Sequence, residues 1–228
     1  VTDNADDRLE WVGRLFAHPF RGGVPALEGL GVGVAASRGR AAGTATSTGL
    51  ATYRTTGRAT IFRYDPSAAA SGDRTRVALQ GYFYSGRAGL MGEWVRSTHE
   101  VAGSGGSGEL SHSAWNVNAS LALTDDRPAY GGLAPRSVLS LERGTLGALE
   151  LAGRVQSFAF DEDAFVLGLA DPTLSVRQAF AWTIGLNWYP HPNARVLVSF
   201  ERTTFHGGAA SGDRRAEGAL FTRVQLGL

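Results

Sequence analysis

Every strong cation in this chain is an Arg: the 22 basic residues include no Lys. A guanidinium stays charged at any working pH, and its planar fork of donors can hold a carboxylate or a phosphate through two hydrogen bonds at once. Abundant Ala and Gly beside the Arg also fit a GC-rich coding sequence, so spacing says more than number. In "ALELAGRVQ", Ala148, Glu150, Ala152, Arg154 and Gln156 alternate with Leu149, Leu151 and Val155. A period of two sends alternate side chains to opposite faces of a strand. The same parity places Arg14, Arg76, Arg154, Arg177, Arg195 and Arg223 on polar faces, with Arg74 near a strand end. Glu10, Glu93, Glu150 and Glu201 share those faces. The excess of Arg over Glu makes the shared face net cationic, a surface that attracts anions. The competing reading is that each Arg pairs with a cross-strand Glu and only stiffens the sheet.

Other chemistry finds less support. His18, His99, His112, His191 and His206 show no metal-ligand spacing and are expected at the surface or in turns. "DEDAF" and "LTDD" group carboxylates in connections, which suits a solvated acidic loop better than a calcium site. Ser111, His112 and Asn116 supply the letters of a hydrolytic set, but they lie on alternating faces of one strand. "GSGGSG" from Gly103 is followed by no "GK[ST]" and is no phosphate cradle. No catalytic residue, metal ligand or cofactor is assigned. The net charge of +1 gives no general attraction to nucleic acid.

The elements that carry these residues alternate along most of the chain. "WTIGLNWYPHPNARVLVSFERTTF" (182–205) alternates on both sides of a four-residue turn, which predicts a β-hairpin. Including its two strands, nine strands are expected: 9–17, 29–37, 74–84, 87–99, 111–124, 146–160, the two of the hairpin, and 218–228. A short extra strand or an inward-folded loop is expected around "ATIFRY", within a connection spanning 38–73. Connections alternate short and long, except that 125–145 is long on the short-turn side. The strands exceed the usual length of about 5–6 residues, and one face of each is almost wholly apolar. Trp94, Trp115, Phe180, Trp182, Trp188 and Phe200 fall on that apolar face, several near strand ends. In a transmembrane barrel this face meets lipid, with aromatic girdles at the interfaces and polar residues toward the lumen. A soluble β-sandwich binding domain shows the same alternation and remains the alternative, together with a β-barrel enzyme. Arg96 and Arg202 share the lipid-facing parity and are expected at the outer rim, where lipopolysaccharide phosphates are plausible partners. No stretch approaches the about 20 apolar residues of a membrane-spanning helix.

Six blocks in order carry a resemblance: "GRLFAHPF", "ATYRTTGRATIFRY" with "GDRTRVALQGYFYSG", "GRAGLMGEWVRSTHEV", "AWNVNASLALTDD", "GALELAGRVQSFAFDEDAF" and "GLNWYPHPNARVLVSFERTTF". Together they resemble the C-terminal part of the phosphate-selective porin family. The resemblance implies an all-β, antiparallel outer-membrane barrel of a Gram-negative bacterium. Such barrels are usually sixteen-stranded and homotrimeric, and they pass phosphate or similar small anions by passive diffusion without a cofactor. The family's anion pathway is an Arg ladder leading to a constriction that also uses Lys. With no Lys here, mild anion preference without tight phosphate binding is expected. The earlier strands and the usual constriction loop have no matched block. Residues 1–228 are therefore expected to form one β-barrel domain of nine to ten strands, the C-terminal portion of a longer porin. Val1 is expected on the external side, with the missing strands supplied by an upstream part of the same gene or by a partner chain.

Overall fold

A computed structural model describes residues 9–44 and 46–227, so the expected external position of Val1 lies outside the described residues. Nine long strands form one antiparallel meander. They are β1 (Trp11–Ala17), β2 (Leu30–Ala42), β3 (Ala69–Ser85), β4 (Ala88–Ala102), β5 (Ser107–Ala122), β6 (Ala148–Ala159), β7 (Val176–His191), β8 (Ala194–Ala209) and β9 (Glu217–Leu226). Each strand pairs with its chain neighbours, and the register keeps like faces together. Leu151 stands opposite Leu121 and Leu186, while Arg154 stands opposite Asn118 and Thr183. A slip of one residue would exchange the two faces, so the alternation itself fixes the register. Among the described residues β1 pairs only with β2 and β9 only with β8, which leaves both edges of the sheet open.

Connections alternate. β3–β4 and β7–β8 join by tight turns at one end, hereafter the turn end. At the other, the loop end, lie 43–68, 103–106, 160–175 and 210–216. Several strands run further than expected. β2 continues to Ala42 and β3 begins at Ala69, so the connection expected over 38–73 shrinks to 43–68. The loop expected over 100–110 is reduced to Gly103–Gly106, because alternation continues through Ser107–Leu110 where Gly and Ser obscure it. "ATIFRY" adds no tenth long strand. Thr60–Phe62 pairs with Tyr53–Arg54 in a small hairpin of its own.

The outer face of the sheet is an exposed apolar band. Leu79 is 50% exposed, Ile184 51% and Phe200 39%. Along β4 that face runs Leu90, Gly92 and Trp94, then turns polar at Arg96, Thr98 and Glu100. Along β8 it runs Val196, Val198 and Phe200, then Arg202, Thr204 and His206. The boundary is aromatic: Trp94 pairs with Trp115, and the Trp182 and Phe200 rings lie 5.7 Å apart. Phe180 lies 6.5 Å from Trp115 on the same side. Trp188 closes the band at the turn end, its Nε1 donating to Leu146 O at 2.6 Å. An apolar patch this extensive is foreign to a water-facing surface and suits lipid.

Candidate functional site

The inner face carries the polar parity and receives two folded segments, one from each end of the sheet. Segment 43–68 turns inward from the loop end. Its Tyr53, Ile61, Phe62 and Tyr64 pack onto inward side chains of the wall. Phe62 stacks on Phe160 with ring centroids 4.1 Å apart and planes 5° from parallel, and Tyr53 lies 4.9 Å from Phe158. Val101, Leu110, Val176 and Phe205 complete this buried cluster. Burial of so many rings gives the docking its stability, since each removes about 150–250 Å² from water. Polar contacts fix its position. Arg63 N donates to Ser175 Oγ at 3.2 Å, and Asp65 N donates to Leu169 O at 2.8 Å. Thr55 Oγ1 donates to Glu217 Oε1 at 3.1 Å, and Arg214 donates to Thr60 O. Of the two forms expected around "ATIFRY", the segment combines both: a short strand pair carried on an inward-folded loop.

Two histidines expected at the surface or in turns belong to this dock. His112 is 1% exposed and His99 8%. The Tyr64 hydroxyl lies 2.6 Å from His112 Nε2 and 2.7 Å from His99 Nε2. Asp161 N donates to His112 Nδ1 at 3.1 Å. A neutral His112 must then carry its proton on Nε2 and donate it to Tyr64, whose own proton goes to His99. Burial pushes the Tyr64 hydroxyl well above the usual tyrosine range, so it stays a donor. Parity alone puts both His inward. What it lacks is the tyrosine, which comes from 35 residues before His99. His18 also points inward, beside Phe16 and Tyr82. His191 ends β7 beside the turn, and His206 faces Asp213 at 3.2 Å near the loop end.

The second segment, 123–147, is the long connection on the turn side. Its first small hairpin, Pro128–Ala129 with Gly132–Leu133, folds onto the inner face, while a second, Leu139–Ser140 with Thr145–Leu146, stays at the turn end beside Trp188. Leu133 is buried against Ala122, Ala148 and Tyr189. Asp126, expected in a solvated acidic loop, is 4% exposed: it accepts from Thr124 Oγ1 and from Arg136 N at 2.7 Å. Tyr130 stacks on Tyr82 with centroids 4.8 Å apart. Tyr82 can lie there because residue 31 is Gly; a Cβ on Gly31 would meet the Tyr82 ring at 2.5 Å.

Of the expected site residues, Glu10 gathers two: Arg74 at 2.9 Å and Arg76 at 3.1 Å, with Ser37 Oγ also donating at 2.8 Å. For these two Arg the cross-strand pairing reading holds. It does not extend to the rest. Arg154 Nε donates to Asn118 Oδ1 at 2.7 Å, and Arg195 donates to Asn187 Oδ1 at 2.9 Å while lying over the Tyr189 ring. Arg14 lies over Phe16. Among the described residues Arg14, Arg154, Arg195 and Arg223 have no carboxylate partner. Glu150 is buried and accepts from Asn187 and Tyr189 at 2.8 and 2.9 Å. Glu201 accepts from Thr183 at 3.0 Å, and Glu93 lies near Asn116. Arg177 departs from the expected wall. A bulge between Val176 and Gln178 resets the alternation there. Its guanidinium pairs with Glu162 at 3.0 Å and lies 4.8 Å from the Phe165 ring, beside the short helix α1 (Asp163–Val166). Parity cannot see a bulge, because it changes the count by one residue. Trp94, Trp115, Phe180, Trp182, Trp188 and Phe200 share one face of the sheet, opposite the polar parity.

Between the two segments remains a trough of about 780 Å³ in the wall. Arg154, Arg195 and Arg223 share it with Glu150, Glu201, Asn118 and Asn187. The carboxylates there accept from neutral donors, and among the described residues none of the three guanidiniums is ion-paired, so the lining sets three Arg against two Glu. Such a surface can receive and release small anions through charge-assisted hydrogen bonds. Among the described residues no group of three or more His, Asp or Glu is placed to hold a metal ion.

The family model described as "Phosphate-selective porin O and P" matches residues 21–226. No curated protein matches the chain significantly.

Proposed function

Because this chain belongs to the phosphate-selective porin O and P family, a family of outer-membrane porins, we propose that its inner wall passes phosphate and similar small anions by passive diffusion. The observation that carries this reading is the set of guanidiniums, Arg154, Arg195 and Arg223, that line one trough of the inner face with no ion-pair partner among the described residues and outnumber the two Glu there. Exposed arginine charge in a partly enclosed space attracts anions without holding them tightly. The shortage of further cations around each Arg supports a mild preference over a high-affinity phosphate site. The protein acts as a channel on this reading and carries out no chemistry.

The membrane frame follows from the same reading. The loop end lies outside the cell and the turn end in the periplasm, as short turns and long loops are disposed in outer-membrane barrels. Open edges at β1 and β9 would leave unpaired backbone groups in lipid at several kcal/mol each. Further strands, from the same polypeptide or a partner, complete the barrel. Family membership supports a homotrimer. Arg96 and Arg202, set just outward of the aromatic boundary, support contact with lipopolysaccharide phosphates.

The test is the reversal potential of the full-length protein in a planar bilayer under a salt gradient. Replacing Arg154, Arg195 and Arg223 together by Ser should move it toward cations. An unchanged potential would overturn the Arg-wall reading.

A further inference from the structure

We propose that the turn-end part of the trough is a binding subsite for organic anions that carry an aromatic ring, with segment 123–147 supplying the ring contact. This rests on the anion-channel reading and adds to it a preference that bare charge cannot give.

Three features converge. The first is charge: Arg154, Arg195 and Arg223 line the trough without carboxylate partners among the described residues. The second is an unused donor. Arg195 Nε is buried and makes no hydrogen bond, although the same guanidinium is held by Asn187 and lies over Tyr189. The third is an aromatic wall. Tyr130 and Tyr84 line the same trough. Tyr130 rests one face on Tyr82 yet remains 57% exposed. Tyr82 in turn lies 5.7 Å from Phe16 and 5.4 Å from Tyr84, so the exposed ring is the end of a supported stack. Only the inward fold of 123–147 brings Tyr130 to this place, and Leu133 anchors that fold among Ala122, Ala148 and Tyr189.

An inorganic phosphate would use the guanidiniums alone. An aryl carboxylate or aryl phosphate would use them and also place its ring against Tyr130 or Tyr84. Offset or edge-on ring contact strengthens binding beyond the charge contribution. Glu150 and Glu201 also line the trough, but their oxygens accept from Tyr189, Asn187 and Thr183.

The experiment measures block of chloride current through the full-length channel by phenyl phosphate and by inorganic phosphate, which share the anionic head. Phenyl phosphate should half-block at a concentration roughly two- to tenfold lower. Tyr130→Ala should bring the ratio of the two half-blocking concentrations close to one, and Tyr130→Phe should keep it. Equal block of the wild type by both probes would overturn the subsite. So would a ratio that Tyr130→Ala leaves unchanged. The reversal potential, read in the same bilayer without either probe, reports the anion-channel reading separately. Loss of anion preference sinks that reading whatever the ratio, and a ratio of one with anion preference intact sinks only the subsite.

Discussion

The Tyr64 hydroxyl sits between two buried imidazoles, 2.6 Å from His112 and 2.7 Å from His99. It joins the inward-folded segment to β4 and β5 by a directional contact within a dock made mostly of ring packing. Tyr64→Phe keeps the ring and removes the hydroxyl. It leaves two buried ring nitrogens without their partner, at a cost of about 1–3 kcal/mol. Segment 43–68 should then become more sensitive to limited proteolysis while the barrel still migrates as a folded, heat-modifiable band. A cleavage pattern identical to wild type would show that the hydroxyl does not hold the segment.

Phe62 tests the packing side of the same dock. It is 0% exposed and stacked on Phe160. Phe62→Ala should cost about 3–5 kcal/mol of local docking energy. Because the barrel wall does not depend on it, the sheet should persist while the segment detaches. Single-channel conductance should rise and become noisier. A conductance unchanged in size and noise would mean that the segment does not narrow the pathway.

Glu10 pairs with two arginines at once, one negative charge against two positive. Glu10→Gln should keep hydrogen bonding to Arg74 and Arg76 while removing the negative charge. The reversal potential should move further toward anions, opposite in sign to the Arg→Ser triple variant. An unchanged potential would place this cluster outside the conducting path.

The outer band makes a prediction about solvent. Ile184 lies mid-strand on the exposed apolar face. If that face meets lipid, Ile184→Arg should destabilise folding into vesicles by about 2–4 kcal/mol, read as a lower urea midpoint. Arg202, one strand over and just beyond the aromatic boundary, should tolerate Arg202→Leu with a far smaller change. Equal and small effects at both positions would argue that the face is not in hydrocarbon.

The nine strands and their two faces are legible in the sequence because a period of two is local: it needs only neighbours in the chain and a single buried or lipid-facing side. Parity by itself therefore puts Arg154, Arg195 and Arg223 on the inner face, and Trp94, Trp115 and Phe200 on the outer. Strand ends are less legible where Gly and Ser dilute the pattern, as at Ser107–Leu110. Parity misplaces Arg177 because one bulged residue inverts the count beyond it. What only the tertiary structure decided lies in the connections. Segments 43–68 and 123–147 carry no sustained periodic signal, and nothing local says whether a loop turns outward to water or inward onto the wall. That choice depends on rings and donors far apart in the chain: Phe62 meets Phe160, Tyr64 meets His99 and His112, and Tyr130 meets Tyr82. These long-range contacts stabilise the inward fold only once the meander has brought their partners to one face. The same dependence explains the arginines. Their side of the sheet is set by sequence, but whether a carboxylate stands within reach is set by how far apart β1 and β3 lie, where Glu10 finds Arg74 and Arg76.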